Sequence, residues 1–413
     1  MSQSKSLDGA WSVGYSDPVG HNGRVDTVRA GLAQATSTSP QDWHLVFKAR
    51  YGMQQVFAAL AVRGEQREVV TQALTCSTAV DPILSANLRP RYGDINTTSL
   101  ALDPDSFPDH GEWGAVVIQH TFGMIDLERS GRLAGLARDQ GSLVVEDSAH
   151  ALARMARGAD GKPLADVSIH SFGVEKSLPT KFGGAVWVNP EMADPGLHAD
   201  ITRRLSTMRA PGLRLALAAR TYRVQNAALR RLPSGAGGFM MRLLTSAKIF
   251  EPAVAPSEQA GRLAHSDVGA SPWVVSHMAA HLPSLAAHEA TRVAAVAAYV
   301  EVASELMPWS AAAVGQPLIR MPLLVPPEVD ADLVVQALRK RGIYAGTWYR
   351  PALFPGVSDP DLYYFDPQDP SLPVTQDVIA RIVNLPTSVD GREAYRIARE
   401  ALEVIDSFRS AST

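Results

Sequence analysis

From residue 46 to about 190 the chain alternates short apolar runs with stretches of helical periodicity. VFAALAV (56–62) has helical composition, and EVVTQALT (68–75), after a charged turn, reads as a strand. A helical stretch around 79–86 is followed by LRPRYGDI (88–95), then by AVVIQ (115–119), a buried-strand signal. The pattern predicts a helix over 127–141 and further strands at SLVVE (142–146), DVSIHSF (166–172) and GGAVWVN (183–189). Strands separated by helices imply a mostly parallel sheet with right-handed crossovers.

Beyond that block the pattern changes twice. Residues 195–250 read as helical and basic, broken at APG (210–212) and PSGAGG (233–238). An alanine-rich helix pattern over 284–306 leads into a smaller α+β region. There LIRMPLLV (318–325) and IYAGTWY (343–349) read as strands, and DADLVVQALRKRG (330–342) and 392–408 as helices. Residues 1–45 are polar, with little periodicity, and read as an irregular N-terminal arm. The expected organisation is therefore an arm over 1–45, a large α/β domain over 46–265 that includes the basic insertion (195–250), and a small C-terminal domain over 266–413 with the linking long helix.

Composition narrows the class. The 413 residues are 46% hydrophobic and 20% charged, which excludes a disordered or collagen-like chain. The single cysteine, Cys76, cannot form an internal disulfide, and no apolar run or export signal stands out, so a cytoplasmic setting is expected. The net charge of −3 is unevenly spread. Residues 201–250 hold nine arginines, one lysine and no acidic residue, which leaves an excess of negative charge elsewhere. No metal-ligand spacing, P-loop or dinucleotide fingerprint occurs, and arginines without interleaved stacking aromatics argue against nucleic acid.

In a parallel sheet, functional groups gather at the carboxyl ends of strands. VVEDSAHAL (144–152) sets Asp147 just past one strand, and SIHSFGVEKS (168–177) sets Lys176 a few residues past the next. A lysine can hold pyridoxal phosphate as a Schiff base while a carboxylate keeps the pyridine nitrogen protonated.

VVEDSAHAL followed by SFGVEKSLPTKFGGAVWVN (171–189) resembles the E-D-x-A-[QH]-A and S-F-x-x-x-K…G-G-A pair of the DegT/StrS family. The likeness spans most of 50–189 and returns at 269–300 and 318–406, with GIYAGTWYRPALFPG (342–356) and NLPTSVDG (384–391) as small-domain landmarks. The resemblance implies the fold of fold-type I pyridoxal phosphate enzymes, an active site shared across a homodimer, and sugar aminotransferase activity. It implies Lys176 as the Schiff-base lysine, Asp147 as the partner of the pyridinium nitrogen, His150 against the ring and Ser171 on the phosphate. YGMQQVFAAL (51–60) stands where the family has S-G-T-x-A-L, so backbone donors around Gly52 and Met53 are expected at the phosphate.

The departures are as informative. Tyr51 and Met53 replace the family's Ser and Thr, and Cys76 falls where an aromatic residue usually stacks on the ring, with Tyr51 a candidate to supply that surface. GASPW (269–273) replaces the partner subunit's G-x-N-x-R, putting Ser271 at the phosphate and Trp273 on the substrate side. His120, Lys181, Tyr349 and Arg350 are further substrate-pocket candidates, Arg350 as a clamp for a carboxylate. The expected reaction is transfer of an amino group from glutamate or glutamine to a keto-sugar nucleotide or secondary-metabolite intermediate. The alternatives are a non-transaminating reaction on the same lysine (elimination, cyclisation, decarboxylation or C–C chemistry) and a non-catalytic scaffold. For the basic segment, an acidic carrier protein, an anionic membrane surface and a phosphate-bearing substrate compete with a solvated helical cap.

Overall fold

The computed structural model describes residues 20–63, 68–106, 112–232, 235–247 and 249–412. In chain order the first part consists of α1 (His21–Thr36), β1 (Trp43–Val46), α2 (Ala49–Arg63), β2 (Glu68–Gln72), α3 (Ser77–Ser85) and β3 (Arg89–Gly93). It continues through β4 (Ala115–Gln119), α4 (Leu127–Asp139), β5 (Leu143–Ser148), β6 (Val167–Ser171) and β7 (Gly184–Val188). Three helices follow: α5 (Pro195–Ser206), α6 (Leu213–Arg230) and α7 (Ala236–Ser246). The last part is α8 (Pro272–His281), α9 (Leu285–Ala303), α10 (Ser310–Ala313), β8 (Arg320–Leu324), α11 (Ala331–Lys340), α12 (Pro373–Arg381), β9 (Ile382–Pro386) and α13 (Gly391–Ser412).

The large sheet has the order β1-β7-β6-β5-β4-β2-β3. Its β2, β3, β4, β5 and β6 run parallel, while β7 is antiparallel to both β6 and β1. All residues of β4, β5, β6 and β7 are buried, as expected of strands covered by helices on both faces, including polar Glu146, Asp147, Ser168 and His170. The smaller sheet pairs β8 antiparallel to β9, and α9, α11 and α13 pack with it around a core that includes Tyr299, Trp309 and Leu385. This is the α/β architecture of fold-type I pyridoxal phosphate enzymes, with a mostly parallel seven-stranded sheet.

Two expectations are corrected here. Residues 20–45 are not irregular: they form α1 and the edge strand β1. The helix buries only Val28, Leu32, Ala33 and Thr36, a stripe too thin to stand out in a polar stretch, and it packs on α8. Residues 1–19 of the expected arm lie outside the described residues. IYAGTWY (343–349) is not a strand either. Only Gly346 bridges, to Asn384, and the partner of β8 is β9. Ile343, Ala345 and Tyr349 are apolar because the loop is buried, and burial alone does not dictate extended pairing.

Candidate active site

A cavity of about 310 Å³ opens at the carboxyl ends of β4, β5 and β6. Its floor carries Gln119, His120, Asp147, Ile169 and Ser171. The first turn of α2 (Ala49, Arg50, Met53) and the leading end of α3 (Cys76, Thr78, Ala79) form one wall. Lys176 and Lys181 come from the loop between β6 and β7, and Trp348, Tyr349 and Phe354 close the cavity from the small-sheet side.

Asp147 stands one residue before the end of β5, in register with Gln119 of β4 and Ile169 of β6. Its carboxylate accepts the Ala149 N–H at 2.9 Å. Burial raises its pKa, and the Ala149 hydrogen bond, Lys176 and His120 counter that rise. The Lys176 amine has no ion pair among the described residues and lies 5.6 Å from the centre of the Trp348 ring. Burial lowers its pKa, against the opposing pull of Cys76 and Asp147. A partly desolvated, more readily neutral amine is what a nucleophilic lysine needs.

His150 stacks on Trp348, with ring centres 5.6 Å apart and planes 8° from parallel. Its Nδ1 accepts the Phe122 N–H at 3.1 Å, and the Tyr349 hydroxyl lies 3.2 Å from each ring nitrogen. Burial and the Lys176 charge push its pKa well below 6.5, so the imidazole is neutral. Strand alternation sends Glu146, the neighbour of Asp147, to the opposite face. There it meets His120 Nε2 at 2.8 Å and accepts hydrogen bonds from Ser168 and from the Ala156 N–H. Ser168 also lies 3.0 Å from His170 Nε2, and His170 Nδ1 accepts the Ala153 N–H. This buried network pins both ends of the loop that carries His150.

At the other end of the cavity, Ser171 Oγ accepts the Gly173 N–H at 3.1 Å. α2 begins at Ala49, three residues before Gly52, and the Tyr51 N–H already donates to the Lys48 carbonyl. The open end of the helix therefore belongs to Ala49 and Arg50, not to Gly52 and Met53. Gly52 serves packing instead: a Cβ there would sit 2.4 Å from Val186 Cγ2. Gly184 is similarly constrained, and by backbone: its Cβ would fall 2.5 Å from the Ala49 nitrogen. Lys48 pairs with Glu251 at 2.5 Å and Arg50 with Glu258 at 2.6 Å, so the stretch after α7 is clamped against the start of α2. Lys48 holds the Glu251 carboxyl down at about 2, against the opposing effect of burial.

Met53, Cys76, His120, Asp147, His150, Ser171, Lys176, Lys181 and Tyr349 thus meet at one cavity. Five other candidates do not, Gly52 among them. Tyr51 turns into the core, stacked on Phe47 at 6.4 Å, because the first turn of α2 points it away from the cavity. Arg350 pairs with Asp332 at 2.7 Å and does not line the cavity, so it is not placed to clamp a carboxylate there. Ser271 caps α8 by accepting the Val274 N–H, and Trp273 stacks on His277 of the same helix. Sequence reasoning missed Trp348, Gln119, Lys48, Arg50, Glu251 and Glu258. Trp348 sat in a stretch read as a strand, and the two glutamates follow a segment read only for its positive charge.

Residues 49–232 match the model of the DegT/DnrJ/EryC1/StrS aminotransferase family. The similarity to that family covers under half of the chain. The family match overlaps both Asp147 and Lys176. The spore coat polysaccharide biosynthesis protein SpsC of Bacillus subtilis is 26% identical over 144 residues, 33% of this chain and 36% of that protein. The chain thus matches about a third of the length of this curated relative. In structure the chain resembles PseC of Helicobacter pylori, an aminotransferase involved in pseudoaminic acid biosynthesis, with a TM-score of 0.66 and 16% identity over 93% of this chain and 91% of that one. It also resembles NtdA of Bacillus subtilis with bound cofactor PMP, with a TM-score of 0.63 and 15% identity over 93% and 77%.

The cavity fits the cofactor of such enzymes. It offers the Lys176 amine, the buried Asp147 carboxylate, a neutral imidazole and indole to face a ring, and a hydroxyl beside an open helix turn for a phosphate. Its volume lies at the lower end of small-molecule sites, which span roughly 300–1,000 Å³.

Proposed function

We propose that the protein is a pyridoxal phosphate-dependent aminotransferase that moves an amino group from glutamate or glutamine to the keto group of a small acceptor, a keto-sugar nucleotide or a secondary-metabolite intermediate. The observation that carries this reading is the meeting of Lys176 and Asp147 in one cavity, with His150 and Trp348 stacked beside them. When bound, the cofactor supplies an electron-withdrawing ring that stabilises negative charge on the substrate carbon. Asp147 would hold a proton at the nitrogen of that ring, and Lys176 Nζ would anchor the cofactor and serve as the acid and base. His150 and Trp348 would hold the ring, with Tyr349 against His150. Ser171 and the first turn of α2 would hold the phosphate.

The same reading makes the protein a homodimer in which residues 269–273 approach the partner's cavity. Light scattering of the purified chain checks the mass.

The test is the visible absorption spectrum with added pyridoxal phosphate, before and after L-glutamate or L-glutamine, in wild type and Lys176→Ala. A band that needs Lys176 and bleaches with a donor supports transamination. A Lys176-dependent band that no amino donor bleaches would instead favour a non-transaminating reaction. Absence of any band overturns the enzymatic reading.

A further inference from the structure

α6 carries two apolar stripes. One faces inward: Ala218, Ala219, Tyr222 and Leu229 are buried, with Tyr222 stacked on Phe250 and edge-on to Phe182. The second lies opposite. At 3.6 residues per turn, positions 213, 217, 220, 224 and 231 share one line of the helix. They hold Leu213, Leu217, Arg220, Val224 and Arg231, all exposed, with Leu213 at 86% and Val224 at 74%. α7 extends this surface. None of its residues is buried, and Phe239 (61%) and Leu243 project into solvent around Arg242. Met241 and Leu244 hold the helix only by its inner edge.

The charge on this face has no answer nearby. Residues 201–250 contain no acidic residue. Arg203 pairs with Asp200 and Arg209 with Asp267, but among the described residues Arg214, Arg220, Arg231 and Arg242 make no ion pair. α6 and α7 do not line the active-site cavity, and Leu213, Val224 and Phe239 stand exposed on their surface. Two copies meeting through this face would set arginine against arginine. An acidic protein would answer the arginines and still need a concavity for Leu213, Val224 and Phe239. A lipid headgroup layer answers both, with phosphates at the guanidinium groups and acyl chains around the protruding side chains.

We infer that α6 and α7 dock the protein on the surface of a bilayer containing anionic lipid, lying in the interface without crossing it. The inference does not depend on the aminotransferase reading. Among the described residues no helix is long and apolar enough to cross a membrane, which agrees with a docked helix pair.

The experiment is co-sedimentation of the full chain with vesicles of equal parts phosphatidylcholine and phosphatidylglycerol, against vesicles of phosphatidylcholine alone. The protein should pellet with the anionic vesicles, and added salt should release it. Phe239→Asp with Leu243→Asp should weaken binding about tenfold or more. Replacing Arg214, Arg220, Arg231 and Arg242 by Gln should weaken it about a hundredfold. All six positions are exposed, so unchanged far-ultraviolet circular dichroism and melting confirm that each variant is folded. Three results would overturn the inference: no pelleting of wild type with anionic vesicles, equal pelleting of the variants, or conversion of a dimer to a monomer by Phe239→Asp with Leu243→Asp. The last would make this face a contact between copies. Binding to an acidic protein without binding to vesicles would overturn it equally.

Discussion

Trp348 stacks on His150 with the two rings 8° from parallel, and the centre of the same indole lies 5.6 Å from the Lys176 amine. One side chain from the small-sheet part thus sets both the imidazole and the amine of the large-sheet part. Trp348→Leu removes the stack while keeping an apolar plug. We expect cofactor binding to weaken about tenfold, the upper value for an aromatic pair, as read from a visible titration. An unchanged affinity would mean that His150 is held by Tyr349 and Phe122 alone.

Asp147→Asn keeps the shape of the side chain and removes its charge. On the proposed chemistry the variant still captures cofactor through Lys176. Its half-reaction with an amino donor should slow by about 10²–10⁴. Single-turnover kinetics separate the two effects, and equal rates would remove Asp147 from the mechanism.

The pH dependence of cofactor capture follows from the amine. Burial sets the folded pKa of Lys176 below that of free lysine, about 10.4. Its neutral, reactive fraction therefore rises with pH and reaches half-maximum below that value. Stopped-flow capture rates over a pH series check this, and a midpoint at or above 10.4 would contradict it.

Asp81 offers a test of stability. It is buried, accepts a hydrogen bond from Tyr363 at 2.6 Å, and has its pKa pushed up to about 8 by burial. The Glu258 charge pushes the same way. The folded state then binds the proton that the unfolded chain releases near 4, so stability falls as pH rises from about 4 to about 8. Asp81→Asn is locked in the neutral form. Its melting temperature, relative to wild type, should rise across that window, and parallel curves would place the proton elsewhere.

Arg50 and Glu258 form a largely buried pair at 2.6 Å, and Glu258 also accepts the Ala255 N–H. Removing Arg50 alone strands a buried carboxylate and should cost about 3–5 kcal/mol in denaturant unfolding. Arg50→Met with Glu258→Gln should recover a large part of that loss.

Much of this architecture was legible from apolar runs. β4, β5 and β7 carry apolar runs because helices cover both faces of the sheet, and Asp147 near the end of β5 and Lys176 just past β6 sit at carboxyl ends as the topology requires. The remainder depends on partners far apart in the chain. Nothing local to Lys48 or Arg50 announces Glu251 or Glu258, some two hundred residues on. Gly52 has the expected freedom, but Val186 uses it. Arg350 is a plausible clamp in isolation, and only the packing of α11 brings Asp332 to it. The helix α1 was hidden because it buries a stripe of four residues against an otherwise polar surface.

The edge strand β1 pairs Trp43 with Trp187 and Val46 with Gly184. Among the described residues its only strand neighbour in the large sheet is therefore β7, the last strand of that sheet to leave the ribosome. At about 5–20 residues per second, the stretch from Val46 to Val188 takes roughly ten seconds to synthesise. During that time Trp43 and Val46, both fully buried in the finished protein, have no strand to lie against. The nascent chain consequently carries an apolar segment in need of shelter, and the interval closes only when β7 emerges.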